Sequence, residues 1–140
     1  MKRLFYDNVK YRLRGSRKAL KLIEKVIRNN NRISGDLNFI LVEDKAILKL
    51  NRKYLKHNYH TDVIAFGEED NNSINGDIYI SVDTVKRNAH NYKVSLKEEI
   101  LRVMIHGTLH LCGFIDGTKE QRENMKKMED RWIMEFERLE

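Results

Sequence analysis

A chain of 140 residues with 41% hydrophobic and 34% charged side chains reads as one globular domain over residues 1–140, large enough to bury a core. It has no apolar run of the roughly 18 to 20 residues that span a membrane, and no apolar segment behind its basic N-terminus to make a secretory signal. Its single cysteine, Cys112, excludes an internal disulfide and favours a reducing cytoplasm. The net charge of +6 is uneven: residues 1–30 carry ten Lys or Arg against two acids, and residues 61–140 are acidic on balance. The basic start is either a solvated helix face or a dock for a polyanion.

There is no proline, so breaks must be read from Gly, Asn, Asp and Ser. Arg3–Val9 reads as a short strand. From Leu13 to Arg28, Leu20, Ile23 and Ile27 recur at helical spacing with Ala19 and Val26, while Arg17, Lys18, Lys21, Lys25 and Arg28 fall mostly elsewhere on the wheel. That pattern predicts an amphipathic helix with a basic outer face. Asn29-Asn30-Asn31 breaks it. Leu37–Val42 is a strand candidate, and Asp44 is expected to cap a helix to about Leu55 with Ile47, Leu48 and Leu50 inward. Thr61–Phe66 is rich in β-formers, Glu68–Asn75 is an acidic, Asn-rich loop, and Gly76–Val82 alternates Ile78, Ile80 and Val82 on one face. Together they suggest a hairpin with a longish loop. Asp83 is expected to cap a short helix to about Tyr92.

Ser95 and Glu98 have the spacing of a capping box and open a helix through Leu111, with Gly113 at the position that ends it. Apolar residues surround that helix, which makes it central. Thr118 and Gln121 repeat the pattern, and Met125, Met128, Trp132, Phe136 and Leu139 line one face of a last helix. The fold class expected is α+β (mixed α/β): a small sheet of about four strands covered by about five helices, with a central metal-binding helix.

The chemistry lies in residues 106–116. His106 and His110, four apart on a helix, project from one face, and two ring nitrogens at that spacing can reach one ion. Gly113 can take positive φ and turn the chain. Asp116 follows where a returning loop can add a third ligand, leaving a fourth position for water. The bland alternative is a pair of core histidines satisfied by hydrogen bonds. Gly107 occupies the place where metalloproteases of the HExxH kind carry their glutamate base, which disfavours peptide hydrolysis. Cys112 reads as a small core residue rather than a ligand, and His57, His60 and His90 as surface histidines. The ligand types also fit a two-His-one-carboxylate iron oxygenase, whose usual sheet-rich scaffold does not suit two ligands on one helix.

His106-Gly-Thr-Leu-His110-Leu-Cys-Gly-Phe-Ile-Asp116 resembles the YbeY-family motif H-G-x-L-H-L-x-G-[YF]-D-H. Leu50-Asn51 through Thr61-Asp-Val-Ile-Ala-Phe66 is similar to that family's L-N-x-x-[YF]-R…T-[DN]-V-L-S-F block, and Gly76-Asp-Ile-Tyr-Ile-Ser81 to its G-D-I-x-I-S block. The resemblance implies a metal-dependent endoribonuclease specific for single-stranded RNA, acting in ribosomal RNA maturation and ribosome quality control, with ribosomal RNA and the small ribosomal subunit as partners. It implies one zinc ion per chain on His106, His110 and Asp116. Two positions depart from it. Asp116 stands where the family usually has a third histidine, so the ion would carry more ligand charge and its water a higher pKa, or the site would admit harder metals. Leu55 stands where the family has an arginine thought to face phosphate. Lys53, Lys56 or His57 could stand in, and Arg17 and Lys21 of the basic helix are candidate contacts to flanking phosphates. Asp62 is a weak candidate for the catalytic base, its alternative being a carboxylate at a strand edge. Leu55 favours one further reading, a non-catalytic ribosome assembly factor with a structural metal.

Overall fold

Alternation of apolar residues builds the sheet. In β2 (Ile33–Val42) Leu37, Phe39 and Leu41 point one way, and in β4 (Ser73–Ser81) Ile74, Ile78 and Ile80 do the same. The computed structural model describes residues 1–55, 61–70 and 72–139, with 69 and 70 by backbone alone. β1 (Lys2–Tyr6) runs parallel to β2, β2 runs parallel to β4, and β3 (Val63–Asp70) lies antiparallel to β4, giving the order β1-β2-β4-β3. Parallel neighbours need a long crossover. Between β1 and β2 it contains α1 (Ser16–Asn29). Between β2 and β4 it contains α2 (Asp44–Leu50), a π-helical turn (Asn51–Leu55) and β3. Then follow α3 (Val82–Tyr92), α4 (Leu96–Leu111) and α5 (Lys119–Arg138). Among the described residues four strands and five α-helices make the α+β architecture expected.

The main core lies on one face of the sheet, where α1, α4 and α5 pack. α4 is central: it touches α1, α3, α5, β3 and β4, and Ile100, Met104, Ile105 and Leu109 are fully buried. A smaller cluster on the opposite face joins Ile47 of α2 to Val42 and Ile64, with Ile40, Leu50, Phe66 and Tyr79 around it. α1 buries Leu22, which the apolar stripe had omitted, beside Ala19, Ile23, Val26 and Ile27.

Several boundaries differ from expectation, each for a local reason. β1 stops at Tyr6 because Asn8 takes positive φ, 58°, and its amide donates to Glu43. α1 starts at Ser16 because Gly15 is left-handed at φ 71°. The hairpin loop is much shorter than Glu68–Asn75: β3 continues to Asp70, β4 begins at Ser73, and the ladder ends at the pair Asp70–Ser73. The asparagines there are structural. Asn75 Oδ1 accepts the Asp36 N–H at 2.8 Å across a β2 irregularity, and Asn72 Nδ2 donates to Asn31 O at 2.7 Å. An ideal Cβ on Gly35 would stand 2.1 Å from Asn75 Oδ1, so only glycine lets that bond form.

The two predicted aspartate caps are exchanged. Asp44 does not cap α2; Glu43 is its N-cap residue, and the Asp44 backbone N–H donates to Asp83 Oδ2 at 3.0 Å. Asp83 does not cap α3; Ser81 does, accepting from Thr84 N–H. The Asp44 carboxylate instead accepts from Ser81 Oγ, Thr84 Oγ1 and Arg87 Nη2. Partial burial pushes its pKa up, but these three donors outweigh burial and hold it at about 2. The folded pKa lies below the unfolded one, so the stabilisation is complete above pH ~4 and is lost as pH falls from about 4 to about 2. Asp44→Asn should therefore cost about 2 kcal/mol at neutral pH by urea unfolding, with the difference from wild type vanishing near pH 2. A pH-independent difference would assign the loss to packing instead.

Candidate metal centre

α4 carries a polar stripe through an otherwise apolar helix: Glu99, Arg102, His106 and His110 recur at intervals of three or four and so share one face. Ser95 caps the start, accepting from Glu98 N–H at 3.1 Å. At the other end Gly113, at φ 105°, turns the chain out of the helix. The loop to α5 is then pinned. Thr118 and Gln121 form both halves of a capping box, Gln121 Oε1 also takes the Gly117 N–H, and Arg122 Nη1 donates to Gly117 O at 3.1 Å. Between these anchors Asp116 returns to the histidines.

Asp116 Oδ2 lies 3.4 Å from His106 Nε2 and 3.4 Å from His110 Nε2. Two ligands of a tetrahedral ion bonded at about 2.0–2.1 Å stand about 3.3 Å apart, so the donor spacing fits one small divalent ion. Among the described residues these three form a cluster able to hold a metal, with one ligand atom from each within 4.8 Å of the others. Cys112 is not among them; it is buried, and burial raises its thiol pKa.

A fourth group, one that sequence reasoning missed, orients the site. Glu129 Oε2 lies 2.6 Å from His106 Nδ1, and its other oxygen lies 3.3 Å from Arg102 Nη1. Arg102 also binds Asp130 at 2.7 Å and faces Glu99 at 3.9 Å. A carboxylate on Nδ1 sets the tautomer in which that nitrogen donates, leaving the Nε2 lone pair for a metal. Burial alone would lower the His106 pKa; the Glu129 hydrogen bond and charge, helped by Asp116 and Asp62, outweigh it and raise it. Glu129 had a signal of its own. It sits in phase with Met125, Trp132 and Phe136, an acid on the buried face of α5.

Gly107 faces the sheet. An ideal Cβ there would stand 2.9 Å from Ile78 Cγ2, so the glycine lets α4 approach β4. A glutamate at this position would be driven into the core, and packing as well as composition rules out the HExxH arrangement.

Clefts meet at the ligands. One, of about 490 Å³, runs between β3 and α4 and is lined by Asn51, Leu55, Thr61 and Asp62 with all three ligands. Another, of about 580 Å³, lies between the end of α3 and α5 and shares His106 and Asp116. A third, of about 460 Å³, reaches His110 past Arg32 and Gly67. Asp62 is thus beside the ligands, as a base would need. Burial raises its pKa against the opposing pull of His106 and of nearby backbone and Thr61 donors. Leu55 is 44% exposed in the first cleft and offers no charge. The basic candidates fare differently. Lys56, His57 and His60 lie outside the described residues. Lys53 stacks its ammonium over Tyr54 at 5.1 Å. Arg17 and Lys21 are exposed on α1, which packs on β1, β2, α4 and α5, and neither lines any of the three clefts. His90 is exposed on α3.

Fold and side-chain geometry together define a class: α+β proteins whose central helix and following loop bring together two imidazoles and a carboxylate able to hold one ion. Comparison with known proteins narrows it. The family model described as Endoribonuclease YbeY matches residues 7–137. A protein of Christiangramia forsetii named Endoribonuclease YbeY is 42% identical over 114 residues, covering 81% of this chain and 80% of its own. One of the same name from Flavobacterium psychrophilum is 36% identical over 132 residues, 94% of each chain. The solution structure of TM1509 from Thermotoga maritima superposes with a TM-score of 0.66 at 25% identity, covering 97% of this chain and 89% of that one. The chain belongs to the YbeY endoribonuclease family.

Proposed function

We propose that this enzyme is a metal-dependent endoribonuclease that cleaves single-stranded RNA during ribosomal RNA maturation and quality control, in the cytoplasm and in contact with the small ribosomal subunit. The observation that carries the reading is the matched pair of 3.4 Å separations from Asp116 Oδ2 to the two Nε2 atoms, in a chain whose relatives are named for endoribonuclease activity. Zinc, one ion per chain, suits two imidazoles and a carboxylate, and when bound it supplies an acidified water and a Lewis acid for a phosphoryl oxygen.

The rest belongs to the chain. His106 and His110 present Nε2 from adjacent turns of a buried helix, so their spacing does not depend on a loop. Glu129 holds the proton on His106 Nδ1, and Arg102 holds Glu129. Asp62 takes a proton from the attacking water; its position in the cleft with His106, His110 and Asp116, and a pKa raised by burial, support that role. The clefts on either side of the ligands leave room for chain on both sides of a scissile bond, which an endonuclease requires. Leu55 is the observation on the side of a non-catalytic assembly factor, since the β3 cleft shows no lysine or arginine among its described lining residues.

Single-turnover cleavage of a single-stranded ribosomal RNA fragment separates the two. Chelator-treated protein should lose activity, and refilling with Zn²⁺ should restore it. Harder Mn²⁺ should also serve, because Asp116 adds an oxygen ligand. Cleavage that survives complete metal removal overturns the mechanism, and a refilled protein that never cleaves supports the assembly-factor reading.

A further inference from the structure

The β3 cleft and the cleft between the end of α3 and α5 share His106 and Asp116. An internal phosphodiester has a nucleotide on each side, and a chain passing over His106 and Asp116 leaves the β3 cleft and enters the cleft between the end of α3 and α5. That second cleft differs in chemistry. Its walls include Tyr92, Val94 and Met125, and its rim carries Arg122 and Lys126. Tyr92 is 66% exposed, an unusual fraction for a large aromatic ring, while Met125 beneath is buried. Arg122 and Lys126 are one turn apart on α5 and both exposed, so their charges share one face. The acids of the cleft are paired within it: Glu99 and Glu129 face Arg102, Glu129 also bonds His106, and Asp116 lies beside both histidines.

We propose that this cleft is a nucleotide subsite. It takes the base next to the scissile phosphate on the Tyr92 ring, over the Val94 and Met125 side chains, and places the adjoining phosphate against Arg122 and Lys126. The inference rests on the endoribonuclease reading and adds to it the residues that position substrate. An aromatic face accepts any base, so the subsite selects single strands, whose bases are free to stack, without selecting sequence. Its volume of about 580 Å³ suits one nucleotide rather than a duplex. It also supplies, from α5, positive charge that Leu55 does not supply from the β3 side. Arg122 has a second duty, since its bond to Gly117 O steadies the loop that carries Asp116; Tyr92 and Lys126 are therefore the cleaner probes.

The test is binding of a short fluorescein-labelled single-stranded RNA to the zinc-loaded protein, read by anisotropy in the cold with the RNA checked for intactness on a gel. Tyr92→Ala should weaken binding about tenfold and Tyr92→Phe by less than about twofold, since stacking needs the ring and not the hydroxyl. Lys126→Ala should weaken binding and reduce the salt slope by about one. An abasic substitution beside the cleavage position should weaken binding to wild type but not to Tyr92→Ala, a coupling that a purely structural role for Tyr92 would not produce. Equal affinity of wild type, Tyr92→Ala and Lys126→Ala, at equal zinc content and folded fraction, overturns the subsite. If these dependences appear but the refilled protein never cleaves, the subsite stands and the nuclease reading fails. If wild type cleaves and binding ignores Tyr92 and Lys126, the reverse holds.

Discussion

His110→Ala is expected to abolish tight metal binding and to reduce single-turnover RNA cleavage by more than the roughly hundredfold that changes around a metal site usually cost. The side chain is one of three donors, so its loss leaves an imidazole and a carboxylate, too few to hold a small ion in a fixed geometry. The fold should survive. His110 sits in the last turn of α4 with its side chain 32% exposed, and alanine is a better helix former than histidine. The folded fraction can be matched by circular dichroism, which makes the comparison clean. Residual cleavage equal to wild type in this variant would remove the metal from the chemistry altogether.

Glu129→Ala should be the second largest effect. It touches no metal, yet the zinc affinity measured by competition with a chromophoric chelator should drop about 10- to 100-fold, because His106 loses the acceptor that fixes its ring and tautomer. Glu129→Gln should recover much of this, since an amide oxygen can still accept from Nδ1–H. A titration of the metal-free protein by NMR gives a second readout. Glu129 raises the His106 pKa against burial, so removing it should lower that pKa. Unchanged zinc affinity in Glu129→Ala would show that the buried carboxylate only fills space beside Arg102.

The parts of the fold legible in the sequence were those written in local periodicity. Ile23, Val26 and Ile27 marked α1, Ile78 and Ile80 marked β4, and the apolar ring around 100–109 marked α4 as central. Boundaries failed where a side chain bonded outside its own element. Asp44 and Asp83 look like helix caps because each precedes a helical run. In the folded chain their bonds cross between α2 and α3, and no local pattern records a partner 39 residues away. The acidic stretch 68–75 looked like a loop on composition, but β2 lies on the far side of β4 and extends the ladder through Ser73. In the site, the close group 106–116 could be read as one helix turn and a return. The carboxylate that supports it lies 23 residues beyond His106.

By itself the sequence singled out the candidate donor set, because His106, His110 and Asp116 lie within eleven residues and a helix followed by a glycine turn converts that spacing directly into proximity. The motifs around them also sufficed for the family. The tertiary structure alone decided which groups act on the donors and what surrounds them. Glu129 reaches His106 only because the buried stripe of α5 packs on α4. Asp62 joins the site only because β3 runs along α4. Tyr92 shares a cleft with Arg122 and Lys126 only because the end of α3 lies across from α5. The physical reason is the same in each case: burial of apolar faces brings distant elements together, and the local chain does not record which polar groups then meet.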